Sequence, residues 1–130
     1  MSNSGSSRIV SSDKAPPALG PYSQAVRAGD LLFTAGQTGL KPDGSFVGGS
    51  VSDQAEQVMN NLEAVLAAAG CTFADVVKAT CYLTDMNDFK EFNEVYGSRF
   101  TEEPPARTTV AVAALPVGAK VEVELVALLK

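Results

Sequence analysis

Arg107 follows Pro104-Pro105-Ala106, and the two prolines stiffen the approach to a side chain whose planar fork can grip a carboxylate bidentately. The same residue reads equally as a surface arginine opening a strand. Glu122 stands in an otherwise apolar C-terminal run, where a carboxylate can orient or deprotonate a water. A structural ion pair with Arg107 or Lys120 is the competing reading for it, and Glu124, two residues on, competes for the role. Tyr22, in Gly20-Pro21-Tyr22-Ser23-Gln24, sits on a stiff loop where an aromatic ring walls a small pocket or simply packs. Gly36, in Thr34-Ala35-Gly36-Gln37, either lets a ligand approach the backbone closely or marks a strand end. Cys81 reads as a small buried hydrophobe rather than a nucleophile, and Asn87 and Asp88 as helix caps.

What is missing narrows the chemistry further. The chain has no histidine, which removes Ser-His-Asp and Cys-His catalysis and histidine acid-base chemistry. Two cysteines without histidine do not make a zinc site, so no metal is expected. Any reaction must run on Arg, Glu, Asp, Tyr, Thr, Cys or backbone groups. Ten basic and 15 acidic residues give a net charge of -5 with no basic stripe, which argues against a nucleic-acid partner. No apolar run approaches a bilayer span, and the polar N-terminus lacks a signal core. Cys71 and Cys81 read as reduced thiols, so a cytoplasmic location is expected.

The elements that must position these residues come next. The 130 residues, 45% apolar and 19% charged, are read as a single domain over 1–130, with 1–7 a flexible tail. A short strand at Arg8–Ser11 precedes a stiff proline segment, and Ser23–Arg27 and Leu31–Ala35 form a hairpin through Gly29. Residues 38–50 form a Gly-rich loop. The main helix runs from Ser52, as N-cap, to Ala69, with Gly70 just beyond it. Its apolar stripe is Ala55, Val58, Met59, Leu62, Val65, Leu66 and Ala69. Val76–Thr84 is a strand, Asp88–Phe100 a second helix, and Thr108–Ala113 and Val121–Leu129 the last strands. The order β-β-β-α-β-α-β-β predicts an α+β fold with two helices on one face of a mixed sheet.

In Val121–Leu129 the odd positions are all apolar and must face the helices. The even positions are Glu122, Glu124, Val126 and Leu128, and two apolar residues there suggest that the back of the sheet is covered. With no third helix available, a partner subunit is the economical cover. Alternation in Thr108–Ala113, phased with Val110 and Val112 inward, puts Arg107, Thr109 and Ala111 on that back face beside Glu122.

These residues also carry a resemblance. Gly20-Pro21-Tyr22-Ser23-Gln24-Ala25, Ala35-Gly36-Gln37, Ala69-Gly70-Cys71, Val77-Lys78-Ala79-Thr80, Asn87-Asp88-Phe89 and Asn93-Glu94-Val95-Tyr96 resemble the RidA (YjgF) family. So do Pro105-Ala106-Arg107, Val112-Ala113-Ala114-Leu115-Pro116 and Val121-Glu122-Val123, the whole covering about Lys14 to Lys130. The resemblance implies a chorismate-mutase-like fold and a homotrimer with a ligand cleft between each pair of subunits. It implies a cofactor-free hydrolase, a deaminase that converts the 2-imino acids released by pyridoxal-phosphate-dependent dehydratases to 2-keto acids and ammonia. Arg107 would hold the substrate carboxylate and Glu122 would position water, with Tyr22, the Gly36 backbone and Thr109 lining the pocket. Ala35 stands where many members have serine, and Thr109 where some have cysteine. A non-catalytic carboxylate-binding module of the same fold is the main alternative. An RNA-cleaving translation inhibitor, a role also attached to the family, fits poorly with an acidic chain lacking histidine.

Overall fold

The computed structural model describes residues 7–130, so the expected tail at 1–7 lies outside the described residues except for Ser7. Strands β1 (Ile9–Val10), β2 (Ala25–Ala28) and β3 (Leu31–Thr34) form an antiparallel ribbon. Gly29 takes φ 60° at the first position of the two-residue β2–β3 turn, a conformation that suits the twist of a hairpin and favours glycine. The 38–50 segment is irregular, as expected, apart from an isolated bridge between Leu40 and Phe46.

Helix α1 spans Val51–Ala68 and is capped by Ser50, not Ser52. Ser50 Oγ accepts from the Asp53 amide at 3.1 Å, and Asp53 Oδ2 accepts from the Ser50 amide at 3.3 Å. The reciprocal pair needs a carboxylate three residues after the cap, which Ser50 has in Asp53. The expected stripe is buried as far as Leu66, with Ala69 only partly covered, and Gln54 and Asn61 are buried beside it.

Strand β4 (Val76–Leu83) leads through helix α2 (Phe89–Gly97) to β5 (Ala106–Ala111), which lies parallel to β4 at the sheet edge. Helix α2 is shorter than the expected Asp88–Phe100. A 3-10 turn at Met86–Asp88 precedes it, and Asp85 caps that turn by accepting from the Asn87 amide at 2.9 Å. Asp88 holds the N-cap position of α2 but its side chain makes no capping bond, and Asn87 lies inside the 3-10 turn and is not a cap. Strand β6 (Val121–Leu128) inserts centrally, antiparallel to both β3 and β4, giving the order β1-β2-β3-β6-β4-β5.

Val121, Val123, Leu125 and Ala127 are at most 1% exposed and share one core with α1, α2 and the alternate residues Ala79, Cys81 and Leu83 of β4. The other face of the sheet carries Glu122, Glu124 and Val126, with Phe33, Val110 and Leu128 left 40–50% exposed. The alternation read from β6 is correct. Among the described residues nothing covers that apolar back. Among the described residues no helix is long and apolar enough to cross a membrane.

Candidate active site

Arg107 sits opposite Ala79 in the β4–β5 register, and Thr109 opposite Cys81. Both partners are core residues, so Arg107 and Thr109 face the helices, not the back of the sheet. The expectation that Arg107 and Glu122 share the non-helical face is overturned. The phase of β5 was ambiguous because its outward position, Val110, is itself apolar and 41% exposed. On an edge strand whose two faces both carry apolar residues, alternation does not say which face is inside.

Helix α2 supplies the seat for Arg107. Phe89, Asn93 and Tyr96 recur at one helical face, and the guanidinium lies 5.4 Å from the Phe89 ring centroid and 4.7 Å from that of Tyr96. Its Nη1 donates to Asn93 Oδ1 at 2.8 Å. Among the described residues no carboxylate comes within ion-pair distance of it, in contrast with Arg99, which pairs with Glu56 at 3.0 Å. The arginine is thus held in place while its charge is left uncompensated.

Close to it, Thr109 Oγ1 and the Tyr96 hydroxyl are buried without a hydrogen-bond partner. Burial pushes the Tyr96 phenol up to about 12, so it remains a proton donor at neutral pH. Burial likewise pushes the Cys81 thiol up to about 11, partly opposed by the Arg107 charge. A thiol that stays protonated is a packing group, as its mid-strand position suggested. Asn93, Phe89 and Tyr96 were missed as site residues. Their spacing of four and three residues on a helix just before Arg107 was the available signal.

A second cluster forms on the opposite face. Glu122, Gly36, Tyr22, Thr38, Pro17 and Pro116 line a hollow of about 110 Å³. A Cβ added at Gly36 would collide with the Glu122 carboxylate, with Cδ only 2.8 Å away. The glycine is there so that the carboxylate can lie against the backbone. Gln37 pairs with Val123 through both backbone bonds, at 2.9 and 3.1 Å, and fixes that approach. Tyr22 is 55% exposed at the rim. Burial, and then the Glu124 charge, raise the Glu122 carboxyl above its ordinary value of 4.5. Glu122 makes no ion pair with Arg107 or Lys120 among the described residues. Glu124 does not line the hollow, and its Oε1 accepts from the Tyr82 hydroxyl at 2.5 Å. Of the two carboxylates, only Glu122 lines the hollow.

Residues 12–129 match the family described as Endoribonuclease L-PSP. The chain belongs to this family, the RidA family of its motifs. It is 51% identical over 122 residues to the Arabidopsis thaliana protein named Reactive Intermediate Deaminase A, chloroplastic, covering 93% of this chain and 65% of that one. The chain therefore spans a little under two thirds of that relative. It is 48% identical over 121 residues to 2-iminobutanoate/2-iminopropanoate deaminase of Mus musculus, covering 92% of this chain and 90% of the mouse protein. The crystal structure of E. coli TdcF with bound serine matches with a TM-score of 0.89 at 39% identity, over 94% of this chain and 98% of that one. The mixed sheet with two helices is the chorismate-mutase-like α+β fold of RidA proteins.

Proposed function

We propose that this RidA-family chain is a hydrolase that converts 2-imino acids to 2-keto acids and ammonia. The observation that carries the reading is Arg107, which is seated by two rings and an asparagine yet has no counter-ion among the described residues. A fixed, unpaired guanidinium is a carboxylate anchor in waiting, and every 2-imino acid carries a carboxylate. The mouse relative named 2-iminobutanoate/2-iminopropanoate deaminase supports this substrate class, and a related structure with bound serine supports a small carboxylate in the site.

Arg107 and Glu122 lie on opposite faces of one sheet, so one protomer does not present both to a small ligand. The exposed apolar back of the sheet supports a second copy lying against it. In our reading the protein is a homotrimer, and each site joins Arg107, Asn93 and Thr109 of one protomer to Glu122 of the partner subunit, with the partner's Gly36 and the partner's Tyr22. Both cysteines are free and buried, which supports a reducing, cytoplasmic setting.

The chemistry needs orientation and a placed water. The iminium carbon is already electrophilic, so no cofactor is required. Arg107 holds the carboxylate, and Glu122 takes a proton from water as its oxygen bonds to C2, giving a carbinolamine. That proton passes to the nitrogen, the carbinolamine hydroxyl gives its own to the Glu122 carboxylate as the C–N bond breaks, and Glu122 passes it to the departing ammonia, leaving keto acid and ammonium. A coupled assay tests this: threonine dehydratase with threonine, following 2-ketobutyrate with and without the protein. We expect acceleration that Arg107→Ala abolishes; no acceleration, or an unaffected variant, contradicts the reading.

The family description favours one other reading, RNA cleavage. A net charge of -5 and the absence of histidine weigh against a phosphodiester site and an RNA track. RNA cleavage by purified protein, lost in Arg107→Ala, would restore that reading.

A further inference from the structure

Tyr82 stands directly across from Glu122 in the β4–β6 register, and Thr80 across from Glu124. The phenol does not bond to its direct partner. It reaches diagonally, and its hydroxyl donates to Glu124 Oε1 at 2.5 Å. Such diagonal contacts are within reach of a long aromatic side chain. Glu122 and Glu124 are two residues apart on one strand, so their carboxylates share the back face. The Tyr82 bond therefore fixes one negative charge beside the carboxylate that lines the hollow.

We propose that Tyr82 and Glu124 are positioning residues for Glu122: the phenol pins the Glu124 carboxylate beside it, and that fixed charge tunes Glu122 as a base. The inference rests on the role given to Glu122 above. It adds two residues that do not themselves touch substrate.

Within the protomer, Glu124 is the charged group that acts on Glu122, and Tyr82 acts through it. From β4, Lys78 faces this side but commits its Nζ to Thr108 Oγ1 at 2.9 Å, opposite Val126 and not Glu122. From β3, the residue opposite Val126 is Phe33, which carries no charge. Lys120, two residues before Glu122, is exposed, and the only other titratable group lining the hollow is Tyr22. Burial raises the Glu122 carboxyl first and the Glu124 charge adds to it. The Tyr82 phenol is pushed up to about 12, chiefly by its bond to Glu124, so it stays a donor across the working range.

A carboxylate base is useful when it can both take and return a proton near neutrality, and a neighbouring negative charge moves it in that direction. If the pair has this role, removing the charge or its tether must lower the pH at which Glu122 ionises.

The test is a carboxyl 13C NMR titration of the full-length protein labelled at glutamate, with Glu122 identified by the signal missing from Glu122→Gln. In Glu124→Gln the Glu122 midpoint should move to lower pH. In Tyr82→Phe, which leaves the Glu124 carboxylate untethered, it should move the same way by less. The acid limb of kcat/KM should follow in both variants. An unmoved Glu122 titration in folded Glu124→Gln overturns the proposal, and Tyr82→Phe decides the matter should Glu124→Gln not fold. Full activity in Glu122→Gln is a different failure, since it removes the base reading itself.

Discussion

A guanidinium between two aromatic rings loses little of its charge and much of its freedom, which is what a carboxylate anchor requires. Glu122 is held differently, by a glycine that leaves room for it and by burial that disfavours its ionised form. Because folding favours the protonated carboxyl, the associated stability is fully present below about 4.5, its ordinary value, and is lost as pH rises through the raised folded value. Glu122→Gln keeps a neutral group at every pH. It should therefore melt a few degrees above wild type at pH 8 and level with it at pH 4, as read by scanning calorimetry; a lower melting point at pH 8 contradicts the burial argument. Gly36→Ala should lower kcat/KM sharply, because the new methyl displaces the carboxylate, while circular dichroism stays native. The sequence singled out Arg107 and Glu122 as candidates. Their relative placement was not legible, because Val110 on the outer face of β5 resembles a core residue.

At the scale of elements, the helices are legible wherever the pattern is one-sided. The apolar stripe of α1 is that case. Its start was misplaced by two residues because Ser50 and Ser52 are both acceptable caps, and only Ser50 has Asp53 three residues on. Urea unfolding should show Ser50→Ala costing about 1 kcal/mol and Ser52→Ala within about 0.5 kcal/mol of wild type; equal costs contradict the assignment. The end of α2 was overextended because Phe100 continues the aromatic row of Phe92 and Tyr96, with Phe100 and Tyr96 centroids 4.7 Å apart, after the helix itself has stopped at Gly97. Buried Gln54 and Asn61 carried no sequence signal. Asn61 Nδ2 donates to the Thr38 and Leu40 carbonyls at 3.3 and 2.7 Å, so a polar residue on the core side of α1 anchors the loop that walls the Glu122 hollow.

At the scale of the whole molecule, the Arg107 and Glu122 clusters lie on opposite faces of one sheet, and the described residues leave its apolar back exposed. The back face was legible from Val126 and Leu128 in β6, since alternation in a central strand leaves little room for error. The proposed trimer joins the two clusters across a subunit boundary, and that proposal can be tested. Arg107→Ala and Glu122→Gln are each expected to be inactive. Unfolded together and refolded at equal concentration, they form mixed trimers in which some sites receive Arg107 from one variant and Glu122 from the other. Random assembly of a cyclic trimer gives such intact sites in about a quarter of cases, so activity in the coupled dehydratase assay should recover to about a quarter of wild type. No recovery, with mass spectrometry showing that mixed trimers have formed, would contradict a shared site.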